Sequence, residues 1–152
     1  MSDCEMAYTG LCYVGRHVTR SDYILLRFGT DPRTGTHFGV GPVVSLSNEE
    51  MERKGLGEVI KAIRDSPAKG RALAEMPGDI PLEELLRIKR KHTIVDVGLY
   101  EGWGRSELRM SPMHAGRGWH FMEWPEELVV LPLPASNAEF KRALDEALEV
   151  AS

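Results

Sequence analysis

The sequence predicts an α+β fold, a mainly antiparallel β-sheet with packed α-helices, in a single domain spanning residues 1–152. Three observations point there. Short β-forming runs bounded by turn residues occur in both halves of the chain. Ser-Asn-x-Glu at Ser47 and again at Ser136 are capping boxes, each opening an amphipathic stretch. A chain of 152 residues also buries about two thirds of its unfolded surface, enough for one core without disulfide or metal staples.

Leu11 to Val18 reads as a first strand and Tyr23 to Phe28 as a second, with Arg20-Ser21-Asp22 turning between them. YILLRF is almost continuously apolar, which suits a strand covered on both faces. Asp31-Pro32-Arg33-Thr34-Gly35 is a turn, and Thr36 to Leu46 a third strand. Pro42 has no amide donor, so this strand is expected at an edge or with a bulge at Gly39–Pro42. Ser47 caps a helix carrying Leu56, Val59, Ile60 and Ile63. Gly55 and Gly57 weaken its middle, so its first turn is expected to be separate, and it should stop before Pro67.

Lys69 to Met76 reads as a helical turn and Pro77-Gly78 as a break. Pro81 opens a second helix with Leu82, Leu85 and Leu86 on one face. Thr93 to Tyr100 and Ser106 to Met110 form a hairpin around Gly102-Trp103-Gly104. Ser111 to Pro125 reads as an irregular aromatic loop, and Leu128 to Leu133 as a short buried strand ended by Pro132 and Pro134. In the final helix, Phe140, Leu144, Ala147 and Leu148 share a face. The order is three strands, two helices, three strands and one helix.

Composition narrows the function. A net charge of −4 argues against general phosphate-backbone binding, and it permits a cationic protein partner. Cys4 and Cys12 form no disulfide framework or metal motif and read as reduced thiols. Met1 to Gly10 carries no secretory signal and no apolar run is long enough to cross a bilayer, so a cytoplasmic location without membrane contact is expected.

The five histidines contain no close metal-binding pair, and no metal or cofactor is expected. Neither a G-x-S-x-G elbow nor a phosphate-binding glycine loop is present, so no catalytic residue is assigned. Arg87 and Lys89-Arg90-Lys91 read as a solvated helix end rather than as a nucleic-acid contact, since cations favour a helix C-terminus. Trp103, Trp119 and Trp124 crowd a turn-rich segment beside Glu123, Glu126 and Glu127. Aromatic anchors rimmed by acids suit a basic protein partner, whereas packing and a solvated turn are the plainer explanations.

Two stretches, about two thirds of the chain, resemble the immunity proteins of contact-dependent growth inhibition systems (CdiI). The first is Asp22 to Ser66, with YILLRFG followed by SNEEMERKGLGEVIKAIRDS. The second is Ile94 to Leu148, with IVDVGL, LRMSPMH, GWHF, ELVVLPL and SNAEFKRALDEAL. The Trp-Pro-Glu-Glu loop, the Gly-Pro of the third strand and the Asp65 to Pro81 connection depart from that pattern. The resemblance implies a non-enzymatic protein that binds and neutralises a cognate toxin C-terminal domain, commonly a basic nuclease, in the recipient's cytoplasm. It also implies that a toxin β-hairpin extends the immunity protein's sheet by β-augmentation. An exposed edge also allows homodimerisation when no toxin is bound.

Two functions therefore stand. In the first, Trp103, Arg105, Trp119, Glu123 and Trp124 form the toxin-binding surface. In the second, a small hydrolase or ligand-binding domain, His114, His120 and Glu123 converge in a cleft as acid and base groups.

Overall fold

A computed structural model describes residues 6–30, 37–65 and 80–152. Its elements run β1 (Ala7–His17), β2 (Tyr23–Thr30), β3 (His37–Leu46), α1 (Asn48–Asp65), α2 (Leu82–Lys91), β4 (His92–Gly102), β5 (Arg105–Pro112), β6 (His114–Ala115), β7 (Phe121–Met122), β8 (Val129–Leu133) and α3 (Asn137–Val150). Six strands form one antiparallel sheet in the order β3-β2-β1-β4-β5-β8, and β6 and β7 pair separately. The fold is α+β, and its central pair, β1 and β4, joins the two halves of the chain in the register Cys12–Val97 and Val14–Val95.

The period of two along each strand sorts side chains between the faces. Cys12, Val14, Tyr23, Leu25, Val95, Val97, Leu99, Leu108 and Met110 meet Met51, Val59 and Ile63 of α1 and Phe140, Leu144 and Leu148 of α3 in the larger core. Burial disfavours the Cys12 thiolate and pushes the thiol up to about 12, an inert group. On the other face, Ile24, Leu26, Phe28 and Ile94 meet Leu85 and Ile88 of α2, with Ile80 and Met113. β2 is thus covered on both faces, as its apolar run requires.

Both capping boxes form. Glu50 N–H donates to Ser47 Oγ (3.1 Å) while Ser47 N–H donates to the Glu50 carboxylate (3.0 Å), and Ser136 and Glu139 repeat the exchange. Asn137, beside the second cap, locks α3 to α1: its Oδ1 accepts from Leu56 N–H and its Nδ2 donates to the Arg53 carbonyl. The bulge expected in the third strand is present, since the register moves from Leu25–Val44 to Arg27–Val40, and β3 is an edge strand.

Four expectations need correction. The first turn of α1 is not separate: the helix is continuous through Gly55, which is buried where a Cβ would lie 2.3 Å from Met51 Sδ and 3.7 Å from Phe140, so its small size serves helix packing. The buried face of α2 is Leu85 and Ile88, whereas Leu82 is exposed. β8 is an edge strand rather than a buried one, since only Leu131 is buried and Val130 is exposed. The segment from Ser111 to Pro125 is more regular than a loop, containing the end of β5 and the β6–β7 hairpin and leading into a 3-10 turn at Pro125–Glu127. The turn at Asp31–Gly35, the turn at Lys69–Met76, the break at Pro77-Gly78 and Cys4 lie outside the described residues.

Candidate functional site

The face of the sheet opposite α1 and α3 divides into two halves. α2 and the β6–β7 hairpin cover one, around β2 and the adjoining ends of β1 and β4. Lys89 fastens that cover: its ammonium donates to the carbonyls of Gly116 (2.6 Å), Gly118 and His120 (3.1 Å) and lies 4.8 Å from the centre of the Phe121 ring. Trp119 stacks over Phe28 and meets Phe121 edge-on, completing the seal with Tyr13.

The other half is open. Tyr8 and Leu11 of β1, Asp96, Gly98 and Tyr100 of β4, Arg109 and Ser111 of β5, and Glu123, Trp124, Pro125 and Leu128 enclose a cleft of about 530 Å³. Strand alternation builds its floor. Because Val95, Val97 and Leu99 point into the larger core, Asp96, Gly98 and Tyr100 must point the other way. Gly98 keeps the floor low, since a Cβ there would lie 3.1 Å from the Tyr100 ring.

Asp96, Ser111 and Glu123 line the cleft together, and the Asp96 and Glu123 carboxyls lie close enough to share a hydrogen bond. Two carboxyl groups form such a bond only when one carries a proton. Burial, then the charge of Glu123, pushes Asp96 up to about 8, and burial also raises Glu123. Asp96 is the more enclosed of the two, so burial favours its neutral form more strongly than that of Glu123. Among the described residues no ion pair includes either group. Arg109, the cation lining the cleft, is engaged elsewhere: it bonds Glu107 at 2.6 Å and lies 4.0 Å over the Tyr100 ring.

The five residues read from sequence as partner contacts fall in three places. Glu123 and Trp124 line the cleft. Trp103 and Arg105 sit at the tip of the β4–β5 hairpin, just beyond Tyr100, with Trp103 75% exposed. Trp119, in the turn of the β6–β7 hairpin, is partly buried and packs against the smaller core. Trp103 has φ 53° and Gly104 φ 72°. A two-residue turn with both φ values positive favours Asn-Gly or Gly-Gly, so a bulky residue at Trp103 is strained.

The histidines do not converge with Glu123. His114 bonds Glu127 (2.6 Å) and Ser152 (2.7 Å) and packs on Trp124, while His120 is exposed, and neither lines the cleft. Among the described residues no group of three His, Cys, Asp or Glu side chains could hold a metal ion. Sequence reasoning missed Asp96, Arg109 and the clasp made by Lys89. Alternation in IVDVGL was the available signal for Asp96, because it sets the carboxyl on the face opposite Val95 and Val97.

No helix among the described residues is long and apolar enough to cross a membrane. No family model matches the sequence, and no curated protein matches it. Among solved structures, the chain is similar to a protein of unknown function, NMB0488, from Neisseria meningitidis, with a TM-score of 0.63 and 16% identity over 96% of this chain and 98% of that one. At that identity the likeness establishes the shared fold and carries no chemistry to this chain.

Proposed function

We propose that this protein is an immunity protein of a contact-dependent growth inhibition system. It acts in the cytoplasm, binds the toxin domain of that system, which is a nuclease of basic charge, and neutralises it without catalysis of its own. The observation that carries the reading is the half-open sheet face. One end of it presents an exposed Trp103 in a backbone conformation that a tryptophan adopts at a cost, and next to it lies a cleft lined by aromatic and acidic side chains. Stability alone selects Asn or Gly at that turn and an apolar residue at position 96. Strain and polar burial kept against stability are characteristic of binding surfaces. Trp103, Arg105, Trp124 and Glu123 supply aromatic and charged contacts of the kind that dominate interfaces. The exposed edge of β8 lies on the same side of the sheet as the hairpin strand β5 and offers free main-chain groups for a toxin strand.

Co-expression with the toxin domain encoded directly upstream, followed by pull-down and a growth assay, tests this reading. A tight complex that restores growth is expected. A toxin that neither binds nor loses its toxicity in the presence of this protein would refute it.

A further inference from the structure

We propose that the cleft is a receptor for one cationic side chain of the bound partner, an arginine or lysine seated between the carboxylates of Asp96 and Glu123. This inference rests on the immunity reading for the partner's identity, and on the cleft itself for the chemistry.

Asp96 is recessed in the cleft, and the group within hydrogen-bond reach of its carboxyl is one of like charge, Glu123. Such a pair is satisfied either by a shared proton or by a cation between its members. In the free protein, burial and the facing Glu123 carboxyl favour the protonated form of Asp96. No cation of its own pairs with either carboxylate among the described residues, and Arg109 is held by Glu107 and Tyr100. The cleft, at about 530 Å³, has room for a long side chain, and Tyr8, Tyr100 and Trp124 line it with rings that attract organic cations. Arg109 over Tyr100 already shows a guanidinium stacked on one of those rings.

The proton balance follows. A cation that takes its place between the two carboxylates leaves both ionised and expels the proton from Asp96 to solvent. The groups facing Asp96 are Tyr8 and Tyr13 from β1, Tyr100 from β4, Arg109 from β5 and Glu123 from the segment before β8. Tyrosine and arginine keep their charge states between about pH 5 and 8, so the carboxyl pair alone releases the proton there. Affinity for a cationic partner should therefore rise with pH across that window, by up to about tenfold per pH unit.

The probe is N-acetyl-arginine methylamide, with the uncharged citrulline analogue as control, added to protein carrying ¹³C-labelled side-chain carboxyls. The arginine compound should shift the Asp96 carboxyl and the Trp124 indole signals at millimolar concentration and move the Asp96 titration to lower pH. Citrulline should do neither, and Asp96→Asn, which keeps the shape and can still donate to Glu123, should bind arginine at least about tenfold more weakly. An Asp96 signal that titrates identically with and without arginine would overturn the proposal. A toxin complex whose affinity is unchanged by pH and by Asp96→Asn would overturn it too, while leaving the immunity reading standing. Arginine binding without any toxin complex would support the receptor and refute the immunity reading.

Discussion

β4 serves two regions of the molecule at once, and they are built differently. On the side of α1 and α3 it contributes Val95, Val97 and Leu99, each almost fully buried in a continuous apolar core. On the other side the same strand contributes Ile94 to the α2 core, then Asp96, Gly98 and Tyr100 to an open cleft. The first face is what burial of apolar area favours throughout. The second starts in the same way and then departs from it residue by residue, with a recessed acid, a missing side chain and a ring left in solvent reach. The contrast separates the part of the sequence that holds the fold from the part available for recognition.

The largest expected effect lies on the closed face. Phe140 is fully buried between α3, α1 and the sheet, so Phe140→Ala should destabilise the protein by about 3–5 kcal/mol in chemical denaturation. A loss under 1 kcal/mol would mean that this core is not the main source of stability.

The second effect reverses the usual sign for a buried polar group. Asp96 has a folded pKa raised far above its unfolded one, so the native state binds the extra proton. Its contribution to stability is fully present below the unfolded pKa, near 4, and is lost as pH rises through the folded value of about 8. Asp96→Asn keeps a donor for Glu123 and cannot ionise. It should raise stability at pH 8 by on the order of 1–3 kcal/mol and flatten the decline between about pH 4 and 8 in thermal melts. A variant with the same pH dependence as the parent would show that the pair does not hold the proton.

The third effect tests the boundary between the two halves. Lys89→Met removes the donor to three carbonyls of the hairpin that roofs the α2 core. Because the ammonium is partly solvated, the expected loss of global stability is only about 1 kcal/mol. Amide exchange across residues 114–122 should accelerate far more than exchange in β4. Uniform acceleration would make the clasp a global rather than a local fastening. The smallest effect is at the hairpin tip, where Trp103→Asn relieves a left-handed strain and should leave stability unchanged or raise it by about 0.5–1 kcal/mol. The same change should weaken toxin binding by about 2 kcal/mol in calorimetry, so the two measurements should move in opposite directions.

Most of the fold was legible because its signals are local. The two serine caps, Pro81 at the start of α2, the Gly102-Trp103-Gly104 turn and the apolar run of β2 each specify an element within a few residues. The bulge opposite Leu26 was legible in Pro42 for the same reason. The cleft was legible only in part. Glu123 and Trp124 stood out by composition, but their partner Asp96 looks like one polar residue in an ordinary strand until the chain after β7 returns across β4. Lys89 likewise reads as a solvated helix end until the carbonyls it binds are brought to it by a distant hairpin. At Gly55 intrinsic propensity is a poor guide because it describes an isolated helix, whereas the Met51 side chain packed against that position, where a Cβ would lie 2.3 Å from its Sδ, is what calls for a glycine. Trp119 and Trp124 are indistinguishable in sequence, yet one packs from the β6–β7 turn against the smaller core and the other lines the cleft.

Amide hydrogen exchange on the complex with the toxin domain tests the division between the two faces most directly. Protection should appear at the β4–β5 hairpin tip, at residues 123–128 and along the free edge of β8, with the outer surfaces of α1 and α3 unchanged. Protection confined to α1 and α3, with the hairpin tip and the cleft exchanging as in the free protein, would contradict the account.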